Sequence, residues 1–384
     1  MTSRKPLVVV GTGLGGYTLA REFRRADADT PLVLVTGDDG RFYSKPMLSN
    51  GFAKDKDADS LAISDARKMA SDLDARILVR TMVTEVDAAA GVVRAGEETI
   101  AYGNLVLAVG AVPIMPPMEG DAVAEVLQVN NLLDYARFRA AVEGRRNIAV
   151  IGPGLIGCEF ANDLIKAGFS VTVIGPDHWP LSTLLPEEGG KALRAALAEL
   201  GVTWRLETIA QRVERDDGRL RLDLSTGDSV RADAVLSAIG LRPNVRLARE
   251  TGLDCNRGIV VDRHFRTSAD KVYAIGDCVE VDGLVLPFVM PITHASRALA
   301  KTLSGEPTPV TFPAMPVVVK TPAHPIVVSP PRRGADGEWE VEVRDDGVKA
   351  LFRGTDGALL GFALTGSAKE EWQRLAKELP GVLG

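Results

Sequence analysis

The sequence predicts an α/β fold with two nucleotide-binding βαβ units, the first interrupted by the second, and a small α+β domain at the carboxy end. Three observations carry this prediction. The apolar run Leu7-Val8-Val9-Val10 leads directly into Gly11-Thr12-Gly13-Leu14-Gly15-Gly16. A second run, Ile148-Ala149-Val150-Ile151, leads directly into Gly152-Pro153-Gly154-Leu155-Ile156-Gly157. Past about Pro313 the alternation of buried strands and long helices gives way to short alternating stretches broken by prolines.

Each glycine cluster reads as a strand, a tight turn and a helix start, the pattern of a Rossmann-like dinucleotide-binding domain. The first glycine permits the bend, the second lets backbone approach a pyrophosphate, and the third lets helix and strand pack closely. One GxGxxG is weak, because a glycine turn can serve packing alone. Two in the same context imply two dinucleotides in one protein, and electrons passing between them.

In chain order, buried strands are expected at Leu7–Val10, Pro31–Thr36, Arg76–Leu78, Asn104–Ala108, Asn147–Ile151, Ser170–Ile174 and Ala234–Ala238. Helices are expected at Gly15–Ala26, Leu155–Ala167 and Glu187–Leu200. This alternation indicates parallel sheets. The first sheet pauses at Gly110, and Val272-Tyr273-Ala274-Ile275-Gly276-Asp277 reads as a strand returning to it. The expected division is residues 1–113 with 244–313, residues 114–243, and residues 314–384. Pro291–Leu303 reads as a helix with Pro291 near its start and Thr293 as a possible cap. In the last domain Asp336-Gly337 and Asp346-Gly347 are expected hairpin turns, with a closing helix over Lys369–Glu378.

Composition narrows the function classes. A chain of 384 residues, 46% hydrophobic and 25% charged, has room for two or three well-filled domains. A net charge of −6 speaks against nucleic acid as a partner. No stretch approaches the roughly 18 apolar residues of a membrane span. Arg4 and Lys5 precede only four apolar residues, too few for a secretory signal. Three cysteines, Cys158, Cys255 and Cys278, with no CxxC pair, suit a reducing cytoplasm and disfavour disulfide chemistry. His178, His264, His294 and His324 have no metal-ligand spacing.

Asp38 follows the second strand at about the distance where a carboxylate takes ribose hydroxyls, the alternative being a plain polar turn. Asp277, behind the returning strand and Gly276, is expected to complete the first dinucleotide site. Gly152, Gly154, Leu155, Ile156, Gly157 and, at the crossover, Gly240 are expected to serve the second. The second strand of that unit ends in Gly175, where an acid often selects NADH, so Asp177 or its neighbours would have to compensate. No arginine follows to take a 2′-phosphate, which favours NADH over NADPH.

Gly11–Gly16, Leu107-Ala108-Val109-Gly110-Ala111 with Pro113, Gly152–Glu159, Ile239–Asn244 and Tyr273–Asp277 together resemble the FAD/NAD-linked reductase superfamily, in the branch that reduces small one-electron iron proteins. Tyr43–Ser49 and Met315–Pro322 are similar to the bacterial rubredoxin reductases as a family. The resemblance implies FAD on the discontinuous domain, NADH on the inserted one, and a carboxy-terminal domain closing over the flavin. It implies FAD contacts from Gly11, Thr12, Gly13, Gly16, Asp38, Lys45, Val83, Gly110, Glu159, Asp277, Val289 and Lys320.

Within that resemblance, Lys45 and Glu159 are the residues assigned to catalysis. Lys45 is the expected cation for Glu159, and would face the flavin position where hydride arrives. The alternative is that Glu159 only complements the helix amino end. Lys320, in a run of Val and Pro, needs a buried anionic or carbonyl partner unless it is simply solvated. The implied acceptor is rubredoxin. The rivals are the same machine serving a ferredoxin or flavorubredoxin, and an NADH-responsive redox sensor.

Overall fold

The computed structural model describes residues 4–384. A five-stranded parallel sheet runs in the order Val272–Ala274, Asn104–Leu107, Leu7–Val10, Leu32–Val35, Ala75–Leu78. Leu7–Val10 is buried along its whole length and occupies the centre, as expected for four consecutive branched side chains with no polar face. The far edge strand comes from residues 272–274, so the chain leaves this sheet and later returns to it. A second parallel sheet has the order Thr203–Arg205, Ser170–Ile174, Asn147–Ile151, Ala234–Ser237. The link between them is a two-stranded antiparallel ribbon, Ala111–Pro113 paired with Leu241–Pro243, where exit and return run side by side.

The carboxy-terminal unit is a five-stranded antiparallel sheet, ordered Val317–Val319, Ile326–Ser329, Leu359–Thr365, Gly347–Gly354, Gly337–Arg344. The hairpin near Asp346 exists, with Asp345 and Asp346 as its turn and Gly347 already in the strand. Asp336-Gly337 is not a hairpin turn. Gly337 opens an edge strand opposite Gly354, where a Cβ would lie 2.2 Å from the Arg353 carbonyl oxygen. Glycine there answers close packing, which resembles a turn signal in sequence. The helix expected from Pro291 starts at Val289, with extended Phe288 as its cap residue. Thr293 lies inside it and donates from Oγ1 to the Val289 carbonyl at 3.3 Å, so it caps nothing. The closing helix is reduced to a 3₁₀ turn, Gly366–Glu371, followed by Trp372–Ala376.

One hydrophobic core joins all three parts of the chain. Leu48, Phe52 and Leu61 pack with Tyr135, Phe138, Phe160 and Leu164, and with Val319, Ile326 and Ala350. Phe52 meets the rings of Tyr135, Phe138 and Phe169 edge-on at 5.5, 5.4 and 5.9 Å between centroids.

Glu371 ties the last helix to its sheet. It accepts from Lys349 Nζ at 2.8 Å, Arg344 Nη2 at 3.1 Å and Arg374 Nη2 at 2.9 Å. These partners, Lys349 foremost, hold its carboxyl down to about 2. Against an unfolded value of about 4.3, this stabilises the fold above that pH, and the contribution is lost as pH falls towards 2. Glu371→Gln is therefore expected to flatten the fall in Tm between about pH 4.5 and 2, read by circular dichroism, relative to the parent chain. An unchanged slope would contradict the assignment.

Candidate functional site

Both glycine turns open on one cavity of ≈1250 Å³. At each turn the first glycine has positive φ, +112° at Gly11 and +110° at Gly152, and a Cβ would strike the carbonyl of Ala108 or Ala238 at 2.3 or 2.6 Å. The second glycines, Gly13 and Gly154, cap the helices Leu14–Ala26 and Leu155–Lys166 and have nothing within 4 Å of a built Cβ. Their bare backbone faces open cavity at a helix amino end, where anions are favoured. The third glycines differ. Gly16 and Gly157 are outside the cavity lining, and a Cβ at each would lie 1.9 or 1.8 Å from the carbonyl oxygen of Gly11 or Gly152. They close the turn against the helix, so their inclusion among ligand-contacting residues is corrected to a packing role.

Gly11, Thr12, Gly13, Asp38, Lys45, Val83, Gly110, Glu159, Asp277, Val289 and Lys320 line the cavity, as do Gly152, Gly154, Leu155, Ile156 and Gly240. Asp38 takes hydrogen bonds from Thr36 Oγ1 at 2.8 Å, the Gly40 amide at 2.9 Å and Thr12 Oγ1 at 3.3 Å, all on Oδ1. The turn reading and the ligand reading are thus compatible: one oxygen builds the turn, and Oδ2 is the oxygen those bonds leave over.

Glu159 is fully buried and has a different cation from the one expected. Lys320 Nζ forms its ion pair, the Lys320 amide donates to Oε1 at 2.8 Å, and Ser49 Oγ donates to Oε2. The carboxylate therefore joins three distant parts of the chain. Lys45 sits instead among Asp277 and Asp134, whose charges oppose the downward push of burial on its ammonium. Burial likewise pushes the Asp277 carboxyl up, and Lys45 counters it. The choice follows from geometry. The strand ending at Val319 delivers both the amide and the side chain of Lys320 to one carboxylate, a two-point contact.

The same helix carries two further buried polar rungs. Asn162 Oδ1 accepts from the Ala323 amide at 3.1 Å, and Asp163 accepts from the amides of Phe52 and Ala53 at 2.7 and 3.2 Å. Glu159, Asn162 and Asp163, at helical spacing, thus form a seam that docks the second glycine helix against the other two parts.

Gly175 is explained by Pro153. A Cβ at residue 175 would lie 2.1 Å from Pro153 Cδ, so the proline inside the second glycine turn excludes an acid there. Asp177 lines the cavity and accepts from Ser182 Oγ. Gly175→Asp is expected to destabilise the fold by about 1–3 kcal/mol, and Pro153→Ala in the same chain to restore most of it, read as denaturant midpoints. Additive losses would refute the clash.

Some lining residues had no sequence signal: Asn130, Asn131, Ser182 and Thr183 come from connections whose approach depends on the packing of separate units. Burial, with the Asp38 charge behind it, raises the pKa of the Tyr43 hydroxyl. Cys158 and Cys278 are buried free thiols, and burial pushes Cys278 up to about 12. No group of three metal-ligating side chains and no helix long and apolar enough to cross a membrane occurs among the described residues.

The site fits a flavin dinucleotide on structural grounds. Asp277 Oδ1 is buried without a hydrogen-bond partner, facing a cavity that holds two bare glycine turns. Such an acceptor calls for hydroxyl donors from a ligand.

Residues 5–301 match the pyridine nucleotide-disulphide oxidoreductase family, and residues 309–379 match the rubredoxin binding C-terminal domain. The chain is 50% identical to rubredoxin-NAD(+) reductase of Alcanivorax borkumensis, over 98% of this chain and 99% of that one. It is 35% identical to nitric oxide reductase FlRd-NAD(+) reductase of Aliivibrio fischeri, over 97% and 98%. Among solved structures, the covalent putidaredoxin reductase–putidaredoxin complex is similar with a TM-score of 0.88 at 24% identity, covering 99% of this chain and 94% of that one. NADH:rubredoxin oxidoreductase from Clostridium acetobutylicum is similar with a TM-score of 0.82 at 19% identity, covering 98% and 95%. At those identities the structures speak for the fold.

Proposed function

The chain belongs to the pyridine nucleotide-disulphide oxidoreductase family, and from that premise we propose that it is an NADH-dependent FAD reductase delivering electrons singly to rubredoxin. The observation that carries this is the pair of glycine turns opening on one cavity, which brings two dinucleotides together. Bound FAD supplies the chemistry of accepting a hydride and releasing electrons one at a time. This chain's residues bind and orient.

In this reading residues 1–113 with 244–313 hold FAD, residues 114–243 hold NADH, and residues 314–384 close over the flavin. Gly11, Thr12, Gly13 and the helix behind them take the FAD pyrophosphate, and Asp38 takes the ribose. Asp277 accepts from the ribityl chain, while Val83, Gly110 and Val289 bound the ring. Gly152, Gly154, Leu155, Ile156 and Gly240 seat NADH, with Asp177 as the carboxylate nearest the place vacated at Gly175. Lys320, held by Glu159, and Lys45, within reach of the Asp277 charge, bring two positive charges to the flavin. Positive charge there favours the reduced, more negative cofactor. Orientation of the two rings supplies most of the acceleration.

The matching segment at residues 309–379 supports rubredoxin as acceptor. A flavorubredoxin is the second reading, supported by relatives at 35–36% identity. The absence of a close cysteine pair supports a carrier reductase over a disulfide reductase, and free buried thiols support a cytoplasmic location. Anaerobic stopped-flow tests the proposal: NADH bleaches the flavin, then rubredoxin, flavorubredoxin, ferredoxin or oxygen reoxidises it. Rubredoxin is expected to be fastest. A preparation that takes up no flavin, or whose flavin NADH does not bleach, would overturn the proposal.

A further inference from the structure

We propose that Asn130 is a further cofactor-binding residue, whose side-chain carbonyl accepts a hydrogen bond from the flavin half of the bound FAD. This rests on the reading of the cavity as an FAD site and adds a residue that no motif in the chain marks.

Asn130 lies on the segment that follows the bridge between Leu127 and Leu236, just before the helix Leu132–Val142. Its Nδ2 donates to the Ala111 carbonyl at 2.9 Å. Two residues earlier, Gln128 Nε2 donates to the Ile114 carbonyl at 2.9 Å. Both amides thus brace the ribbon through which the chain leaves the first sheet. Their far ends differ. The Gln128 bond is solvent-exposed, whereas Asn130 Oδ1 is buried and has no hydrogen-bond partner.

The orientation of the Asn130 amide is not free. Turning it over would set its oxygen against the Ala111 oxygen, two acceptors facing each other. Oδ1 is therefore the end without a protein partner, on a residue that lines the cavity. A buried carbonyl left unpaired is unfavourable, and such groups are almost always satisfied in native proteins.

The position of Asn130 selects the flavin half. Its partner Ala111 directly follows Gly110, which also lines the cavity. Its own amide donates to Asp134 at 3.0 Å, and Asp134 is one of the two carboxylates whose charge reaches Lys45. Asn130 therefore belongs with Gly110, Lys45 and Asp277, the lining residues assigned to the flavin half in the proposed reading. The flavin half offers two kinds of donor to a carbonyl there, the ribityl hydroxyls and the ring imide N–H.

The test is equilibrium dialysis of the holoprotein against graded FAD, for the parent chain, Asn130→Ala and Gln128→Ala. Asn130→Ala is expected to weaken FAD binding about tenfold and to shift the visible flavin absorption bands, since a ring or ribityl contact is lost. Gln128→Ala loses an equivalent brace on the ribbon and is expected to keep the parental affinity and spectrum. Unchanged affinity in Asn130→Ala, or equal losses in both variants, would overturn the inference and leave a bracing role only. A parent chain that binds no FAD would instead overturn the functional reading on which it rests.

Discussion

Replacing Glu159 with leucine is expected to destabilise the protein by about 3 kcal/mol and to slow flavin reduction by NADH about a hundredfold. The stability loss follows from what the carboxylate holds. Lys320 Nζ, the Lys320 amide and Ser49 Oγ all donate to it, and it is 0% exposed. Without it, an ammonium, an amide and a hydroxyl lose their acceptor together. Lys320 retains 26% side-chain exposure and can still reach water, which places the loss at the low end for breaking a buried pair. The rate loss follows from position, because the carboxylate ties the Lys320 strand to the Ser49 turn at the wall of the cavity. Glu159→Gln keeps an acceptor for the Lys320 amide and removes the charge. It is expected to recover more stability than rate, and to move the flavin potential in the direction opposite to Lys320→Met, because one removes a negative charge and the other a positive one. Urea midpoints, stopped-flow reduction and potentiometric titration read the three quantities. A leucine variant with parental midpoint and rate would show that the seam is incidental.

The second large effect is expected at the second glycine turn, where neighbouring substitutions should separate folding from binding. In Gly157→Ala the new Cβ would lie 1.8 Å from the Gly152 carbonyl oxygen, and that atom cannot yield. Gly152 has φ +110°, and its amide is held by the Ile174 carbonyl at 2.8 Å. Strand, turn and helix must shift together, at about 3 kcal/mol or more, with NADH binding lost. Gly154→Ala is the opposite case. Nothing lies within 4 Å of its Cβ, so stability is expected to hold within about 0.5 kcal/mol. The methyl would occupy the face offered to the NADH pyrophosphate, and KM for NADH is expected to rise at least about tenfold while FAD stays bound. Thermal melts and steady-state kinetics on the two variants check this. A Gly154→Ala protein with parental KM would mean that the ligand approaches the turn elsewhere.

Much of the architecture was legible in the residues. Runs such as Leu7–Val10 and Ile148–Ile151 have no polar face, so they can only be interior strands, and the turns that follow have steric needs that glycine alone meets. Glycine misled where the need was packing against another strand. Gly337 and Gly354 face each other across the edge strand and its neighbour, and Asp336-Gly337 imitates a turn only when read locally. Gly175 looked like a missing acid and is the imprint of Pro153, a residue on a different loop.

The residues in order thus dictated two dinucleotide turns, their strands and helices, and a separate antiparallel unit, because each depends on contacts within a few positions. The partner of Glu159 depended on the folded arrangement. Ser49 and Lys320 stand 110 and 161 positions away from it along the chain, and both meet it in one buried spot. Electrostatic attraction falls with distance in space and takes no account of distance along the backbone, so two lysines equal in sequence became unequal only once three packed units had set one beside the carboxylate.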